Sequence, residues 1–174
     1  LMGRHIILNV KQFCIDILYL IVVYLDTDSN YLAFKSEVFE EQKLAYKSGI
    51  MSFREFEKYK IKYTYDKMKI YIVIINEYLK YLTRTTHIRM AVEEILYPCY
   101  FKAKKNYICK KHFHGEFNDD FRVNLKNYAT KGGNQFKRDG IPILKDFIKE
   151  YIINIFSNCD RKDTIATIMK EQII

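Results

Sequence analysis

The chain has 174 residues, a formal net charge of +8 at pH 7, and 49% hydrophobic and 16% aromatic residues. This composition supports a folded core and excludes a disordered chain, and the length allows one domain or parts of two. No signal peptide is visible, and the apolar run at residues 17–25 is far shorter than the roughly 20 residues of a membrane helix. We therefore expect an intracellular protein that is neither secreted nor bound to a membrane.

The first part of the chain predicts a helix, a β-hairpin and a second helix. Apolar residues recur at helical spacing over residues 4–13, whereas residues 17–25 are rich in β-branched and aromatic side chains, which favours a buried strand. The elements that follow are a turn at 26–30, a return strand at 31–34 and a short helix at 36–46 that ends near Gly49.

The remainder predicts a long helix, two strands and further helices. Ser52 with Glu55 three residues later is a capping-box pattern, which indicates where the long helix begins. Residues 70–75 fit a buried helix or a strand, and helical character returns at 77–82. The later elements are strands at 95–101 and 107–113, a turn at 131–133, a helix at 143–156 with Pro142 in its first turn, and a last helix after Asp160.

The four cysteines stand far apart, at positions 14, 99, 109 and 159, without a CxxC pair. This usage is typical of a reducing compartment. Cys109 lies near His112 and His114, but a zinc site needs a fourth ligand and more usual spacing. We therefore interpret these three as surface residues at the end of a strand.

The excess positive charge is concentrated in one segment. Residues 101–138 carry a net +7, whereas residues 1–100 carry +2 and residues 139–174 carry −1. The same segment contains several aromatic residues. Cations attract phosphates and flat rings contact sugars or bases, so the segment indicates nucleic-acid binding, with a solvated basic surface as the alternative.

Asp26 and Asp28 stand one residue apart between two apolar segments, and one interpretation is a calcium-binding EF-hand loop. A loop that starts at Asp26 would have oxygen ligands at Asp26, Asp28, Asn30 and Glu37. Its sixth position would be Tyr31 in place of Gly, which is unfavourable for the sharp turn. The preceding residues also predict a strand where an EF-hand has a helix.

The second interpretation is a β-hairpin that carries both aspartates at its tip. Residues i and i+2 of a strand face the same side, so the two carboxylates would point to one place. Carboxylate oxygens bind hard cations such as Mg²⁺, which support nucleotidyl transfer by a two-metal mechanism. A solvated turn remains the alternative on these residues alone.

Three segments resemble, in the same order, motifs of family B DNA polymerases. VVYLDTDSNYLAF (22–34) resembles the YGDTDS motif, FKAKKNYICKK (101–111) resembles KKxY, and ATKGGNQFKRDGIPIL (129–144) resembles the KG…RRD…P motif that begins the thumb. The departures are Leu25 where Gly is commonest, Asn106 where Arg is usual, and Lys137 for the first Arg of RRD. The resemblance covers residues 3–142.

The resemblance implies an α+β fold, in which a partial polymerase palm is followed by the beginning of a mostly helical thumb. The palm part, an antiparallel sheet with helices, would occupy residues 1–114, and the thumb would begin at 115–174. We expect the sequence to be a piece of a longer polypeptide, because it begins with Leu and lacks the family's upstream aspartate and its fingers motif.

The resemblance also implies roles for particular residues. Asp28 would bind the two catalytic Mg²⁺ ions directly, and Asp26 would have a secondary catalytic and metal-shell role. Thr27 and Ser29 would shape the turn, and Tyr24 would support it or contact substrate. The residues implied to contact the DNA backbone are Lys104, Lys105 and Tyr107 of KKxY, and Lys131, Gly132, Lys137 and Arg138 of the thumb motif.

The implied function is that of a DNA-directed DNA polymerase, a nucleotidyltransferase that adds deoxynucleoside triphosphates to a primer 3′-hydroxyl during DNA replication. The partners would be primer–template DNA, deoxynucleoside triphosphates and possible processivity factors, and the site of action would be the nucleus or a viral replication site. We expect the fragment alone to be inactive. A non-catalytic basic nucleic-acid-binding module, or a decayed polymerase relic, is the alternative from another class, with the calcium-loop protein third.

Overall fold

The computed structural model describes residues 2–26, 28–103, 105–120, 126–131, 150–151 and 154–156. Over these residues the fold is α+β, as predicted, with two small antiparallel sheets and helices. The chain divides into two compact units, Leu1–Glu93 and Glu94–Ile174. Within the described ranges, no helix has both the length and the apolar character needed to cross a membrane.

The unit Leu1–Glu93 contains a β-hairpin and three α-helices, and it confirms the predicted order of elements. Strand β1 begins at Ile21, later than predicted, because Ile17 N–H and Leu20 N–H still bond back to carbonyl oxygens of the first helix. The elements are α1 (Met2–Asp16), β1 (Ile21–Leu25), β2 (Asn30–Ala33), a single 3₁₀ turn (Ser36–Phe39), α2 (Glu40–Lys47) and α3 (Phe53–Thr83).

The interpretation of β1 as a buried strand is wrong for one of its two faces. Ile21 and Val23 are 46% and 48% exposed within the described structure. Alternate side chains of a strand point to opposite faces, and in this two-stranded sheet only one face meets the helices. Leu20 and Leu32 represent the covered face, since both pack in the core.

Helix α3 runs without interruption through the stretch that was ambiguous from sequence. Ile75 and Leu79, four residues apart, fill the core against Val10 and Cys14 of α1. This spacing places both side chains on the face of α3 that meets α1. The apolar run at 70–75 therefore belongs to a single helix of 31 residues.

The capping box predicted at the start of α3 is confirmed. The Ser52 hydroxyl accepts a hydrogen bond from Glu55 N–H at 3.2 Å, and Ser52 N–H donates to Glu55 Oε2 at 2.8 Å. These bonds satisfy groups that a helix terminus otherwise leaves without partners. The helix ends at Arg84, whose φ of 54° lies in the left-handed region and stops the helical repeat.

The unit Glu94–Ile174 is built on a three-stranded antiparallel sheet in the order β3–β4–β5. The strands are β3 (Ile95–Ala103), β4 (Asn106–His112) and β5 (Tyr128–Lys131). The first two confirm the predicted strands, whereas β5 was not predicted. Residues 150–151 and 154–156 are helical, within the predicted helix at 143–156. The turn residues 132–133 and the predicted last helix lie outside the described residues.

His112 and Cys109 are fully buried, so their interpretation as surface residues is wrong, whereas His114 is exposed. His112 Nε2 lies 2.6 Å from the carbonyl oxygen of Tyr97, and Asn118 N–H donates to Nδ1 at 2.9 Å. These bonds fix the neutral ring, with its proton on Nε2. Burial lowers the pKa of His112 to about 4.

Buried polar groups hold the segment after β4 against the sheet. Lys110, which is 1% exposed, donates from Nζ to the backbone oxygen of Asp120 at 3.1 Å. Asn118 Nδ2 donates to the backbone oxygen of Lys111 at 3.1 Å and to Asn127 Oδ1 at 3.3 Å. Because buried polar groups are costly without partners, this set of bonds favours one position of the segment.

We expect the stability of the Glu94–Ile174 unit to depend on the protonation of His112. Its pKa is about 4 in the folded state and 6.5 without the fold, so the unfolded chain binds the proton more readily. The contribution is therefore present above pH 6.5 and is lost as pH falls towards 4, by about 3 kcal/mol. Urea unfolding between pH 7 and pH 4 measures this change.

His112→Gln is expected to flatten the pH dependence in that range, since glutamine can donate and accept but does not titrate. His114→Asn is the matched control, because it removes an exposed histidine and suits the left-handed backbone at that position. An NMR titration that shows the His112 ring protonating near pH 6.5 in the folded protein would contradict the prediction.

Candidate functional site

Asp26 and Asp28 lie in the tight turn that joins β1 to β2, as the hairpin interpretation predicted. Leu25 pairs with Asn30, and Asp26 N–H donates to the backbone oxygen of Ser29 at 3.0 Å, which closes the turn. Asp28 is exposed, and its Oδ1 accepts a hydrogen bond from the Ser29 hydroxyl at 3.3 Å. Thr27 lies outside the described residues. The tip therefore presents the Asp28 carboxylate to solvent.

The relative direction of the two carboxylates is set by the turn and not by strand periodicity. Strand β1 ends at Leu25, so Asp26 and Asp28 both lie beyond it. An EF-hand requires a helix at the place occupied by β1, and Tyr31, which would be its sixth loop position, is inside β2. The geometry is thus that of a hairpin tip.

Two side chains next to the turn support it. The Tyr24 and Tyr31 rings meet edge to face across the hairpin, with centroids 5.3 Å apart, which favours the structural role for Tyr24. Asn30 Oδ1 is buried and has no hydrogen-bond partner among the described residues, while its Nδ2 lies 4.0 Å from Met90 Sδ. Sequence reasoning gave Asn30 no role beyond the calcium loop.

The donors at this tip suit a hard cation in type but not in number. Carboxylate oxygens such as those of Asp26 and Asp28 are the ligands that Mg²⁺ prefers. In the part of the chain that the structure describes, no group of three or more His, Cys, Asp or Glu side chains is arranged to hold a metal ion. Asp26 and Asp28 could therefore contribute to a magnesium site without completing one.

The KKxY-like segment forms the turn between β3 and β4. Ala103 pairs with Asn106, which leaves two residues to connect the strands. Of these two residues the structure describes Lys105, which is exposed and has a φ of 57°. Two-residue hairpins need this left-handed backbone and usually use Gly or Asn for it. The sequence instead places a cation at the tip, at a conformational cost of roughly 1–2 kcal/mol.

The three-stranded sheet joins the second and third motifs. Tyr107 on β4 pairs with Phe101 on one side and with Lys131 on the other. The Tyr107 ring is 8% exposed and lies against the Phe101 ring, with centroids 5.5 Å apart. Lys131, at the end of β5, is exposed. Lys105 and Lys131 therefore lie at the same edge of the sheet. Tyr107 lies near them on β4, with its ring against that of Phe101.

The other residues predicted to contact DNA lie outside the described residues. They are Lys104, Gly132, Lys137 and Arg138.

Part of the basic segment is used within the protein. Lys110 is buried, and Lys111 Nζ forms a salt bridge with Glu94 Oε1 at 2.8 Å, with both side chains largely covered. Counting cations along the sequence therefore overestimates the positive surface. Burial does not alternate along β4, since residues 107–110 are all buried, so a lysine in this strand needs an internal partner on either face.

The chain is similar to one part of several longer curated proteins. Two of them are proteins named DNA polymerase beta, from African swine fever virus isolates of a Malawian tick and a Kenyan pig, and each is 32% identical to the chain over 127 residues. The match covers 71% of this chain and 10% of each relative, so the chain corresponds to a small part of their length. The similarity concerns this part of the relatives alone, and their name does not indicate family B in particular.

Two further comparisons found nothing. No family model matches the chain. No solved structure matches it.

We expect Lys105→Gly to be more stable than Lys105→Ala by about 1 kcal/mol, because only glycine adopts the left-handed backbone without a steric penalty. Alanine removes the same charge and long side chain, so it is the matched control. Urea unfolding of the two variants gives the difference. A glycine variant that is no more stable than the alanine variant would show that the turn does not have this conformation.

Proposed function

We propose that the chain is part of a family B DNA polymerase, with residues 1–114 as the second part of the palm and residues 115–174 as the start of the thumb. The single observation that carries the proposal is the pairing of Tyr107 with Lys131, since it joins the KKxY-like and thumb-like motifs in one sheet. Similarity to viral DNA polymerases over 127 residues supports the same function.

Lys105 and Lys131 would attract the phosphate backbone of primer–template DNA. Lysine contacts with phosphate carry no sequence information, which suits an enzyme that must copy every sequence. Tyr107, being nearly buried, would hold β4 in register and would not stack on a base. We propose that Lys104, Gly132, Lys137 and Arg138 extend this contact.

Asp28, with Asp26 as secondary ligand, would help to bind two Mg²⁺ ions. When bound, such ions activate the primer 3′-hydroxyl for attack on the α-phosphate and stabilise the leaving pyrophosphate. The hydrogen bond from the Ser29 hydroxyl to Asp28 Oδ1 would hold the Asp28 carboxylate in one orientation at the tip. Two carboxylates are fewer than such a site uses, so the proposal requires a further carboxylate beyond Asp26 and Asp28. The proposal includes the expectation that the isolated chain is inactive.

The proposed partners are primer–template DNA and deoxynucleoside triphosphates, at an intracellular site of DNA replication. A processivity factor is a further proposed partner, and no contact among the described residues supports it. A non-catalytic nucleic-acid-binding module is the second candidate. It is favoured by the exposed lysines at the sheet edge, Lys105 and Lys131, since their attraction for phosphate needs no metal.

In the full-length protein, we expect Asp28→Ala to reduce primer extension by at least about 100-fold, on the order of several kcal/mol of lost transition-state stabilisation. DNA binding should stay within about threefold, because phosphate attraction rests on cations. Primer extension with Mg²⁺ and anisotropy with labelled DNA measure the two properties. Glu41→Ala, on the exposed side of α2, is the control for removing one acidic side chain.

Unchanged extension by the Asp28→Ala protein would exclude the proposed metal role. A parent protein that binds DNA but shows no metal-dependent incorporation would instead support the non-catalytic module.

A further inference from the structure

The unit Leu1–Glu93 has its own concentration of positive charge, on the first half of α3. Residues 53–69 contain six Lys or Arg and three Asp or Glu, a net +3, whereas residues 1–52 carry −1 and residues 70–93 carry +1. Neither the hairpin tip nor the sheet edge described above uses these cations. They therefore need an explanation of their own.

Four of these cations form a row along one face of the helix. Arg54, Lys58, Lys62 and Lys69, here called the α3 basic row, follow one another at spacings of four, four and seven residues and are all exposed. Such spacings keep side chains on the same face. At 1.5 Å per residue the row is roughly 22 Å long, enough to follow several phosphates of one nucleic-acid strand.

Lysines in this half of the helix lie over aromatic rings. Each ring belongs to the residue four positions earlier. Of the three lysines, Lys69 belongs to the row, so its long side chain is held in place and loses less freedom when it meets a phosphate. The Lys69 ammonium group also covers a face of the Tyr65 ring, on which a base would otherwise stack. The pairs are Lys60 over Phe56 at 4.7 Å, Lys67 over Tyr63 at 5.7 Å and Lys69 over Tyr65 at 5.7 Å.

We propose that the α3 basic row binds the phosphate backbone of duplex DNA without sequence preference. A duplex fits better than a single strand, because single-strand binding relies on open aromatic faces and the Tyr65 ring, on the face of the row, is covered by Lys69. The choice of DNA as the bound molecule rests on the proposed function. The charge and the spacing of the row are independent of that function. The row is separate from Lys105 and Lys131, which belong to the other unit.

Asp66 is an acidic residue beside the row, and it allows a second test of the proposal. Its Oδ2 lies 3.3 Å from Lys62 Nζ, and the two side chains are 56% and 74% exposed. An exposed ion pair of this kind contributes little to stability, so Lys62 can exchange its partner for a phosphate. The remaining Asp66 charge would then repel the DNA, so its removal should strengthen binding.

The test uses the 174-residue chain and a fluorescent 20-base-pair duplex, with anisotropy measured over a range of salt concentrations. In Lys58→Gln/Lys62→Gln/Lys69→Gln, the slope of log affinity against log salt should decrease by about 2–3, at roughly 0.9 per lost phosphate contact. The matched control replaces three lysines elsewhere in the same unit, Lys11→Gln/Lys35→Gln/Lys47→Gln, and should change the slope by less than about 1.

Asp66→Asn should change the affinity for the duplex in the opposite direction. Loss of folding could not explain such a gain. It should raise duplex affinity about two- to threefold at low salt, whereas Glu41→Gln on α2 should leave affinity unchanged within error. Circular dichroism confirms that each variant is folded.

Equal losses in the two triple variants would overturn the proposal and indicate attraction by net charge alone. A single strand of the same length that binds as tightly as the duplex, and loses as much from the substitutions, would also overturn it. These results are independent of primer extension by Asp28→Ala, so the row can fail while the proposed polymerase function stands.

Discussion

Backbone pairing between Leu25 and Asn30, and between Ala103 and Asn106, fixes where the candidate residues lie. Each pair closes a short turn, and a turn between two paired strands is held at an exposed tip. One tip carries the aspartates and the other carries Lys105. A slip of one residue in either register would turn every following side chain to the opposite face, so the site depends on these registers more than on any side-chain contact.

Packing explains why the two registers are maintained. In the first unit, α1 and α3 cover one face of the β1–β2 hairpin through a small apolar core. In the second, neutral His112 joins β3 to the segment after β4, and Lys110 bonds to that segment from the interior. Two short sheets of this size are marginal without such support, and the buried polar bonds are specific because any other arrangement would leave their groups without partners.

Features that depend on a few neighbouring residues could be predicted from the sequence. The capping box at Ser52, the hairpin around Asp28 and the strands on either side of Lys105 are of this kind. Features that depend on distant partners could not. The burial of His112 follows from Tyr97 and Asn118, and β5 is four residues long and defined by its pairing with β4. The α3 basic row was within reach, because helical spacing would have placed its cations on one face.

We propose that one sheet edge in the second unit binds the DNA backbone through residues of two sequence motifs. An NMR titration of the ¹⁵N-labelled 174-residue chain with a primer–template duplex tests it most directly. We expect the amides of Lys105, Tyr107 and Lys131 to shift together, with one apparent affinity that weakens as salt increases. Shifts that leave these three amides unchanged while other basic surfaces respond would contradict it.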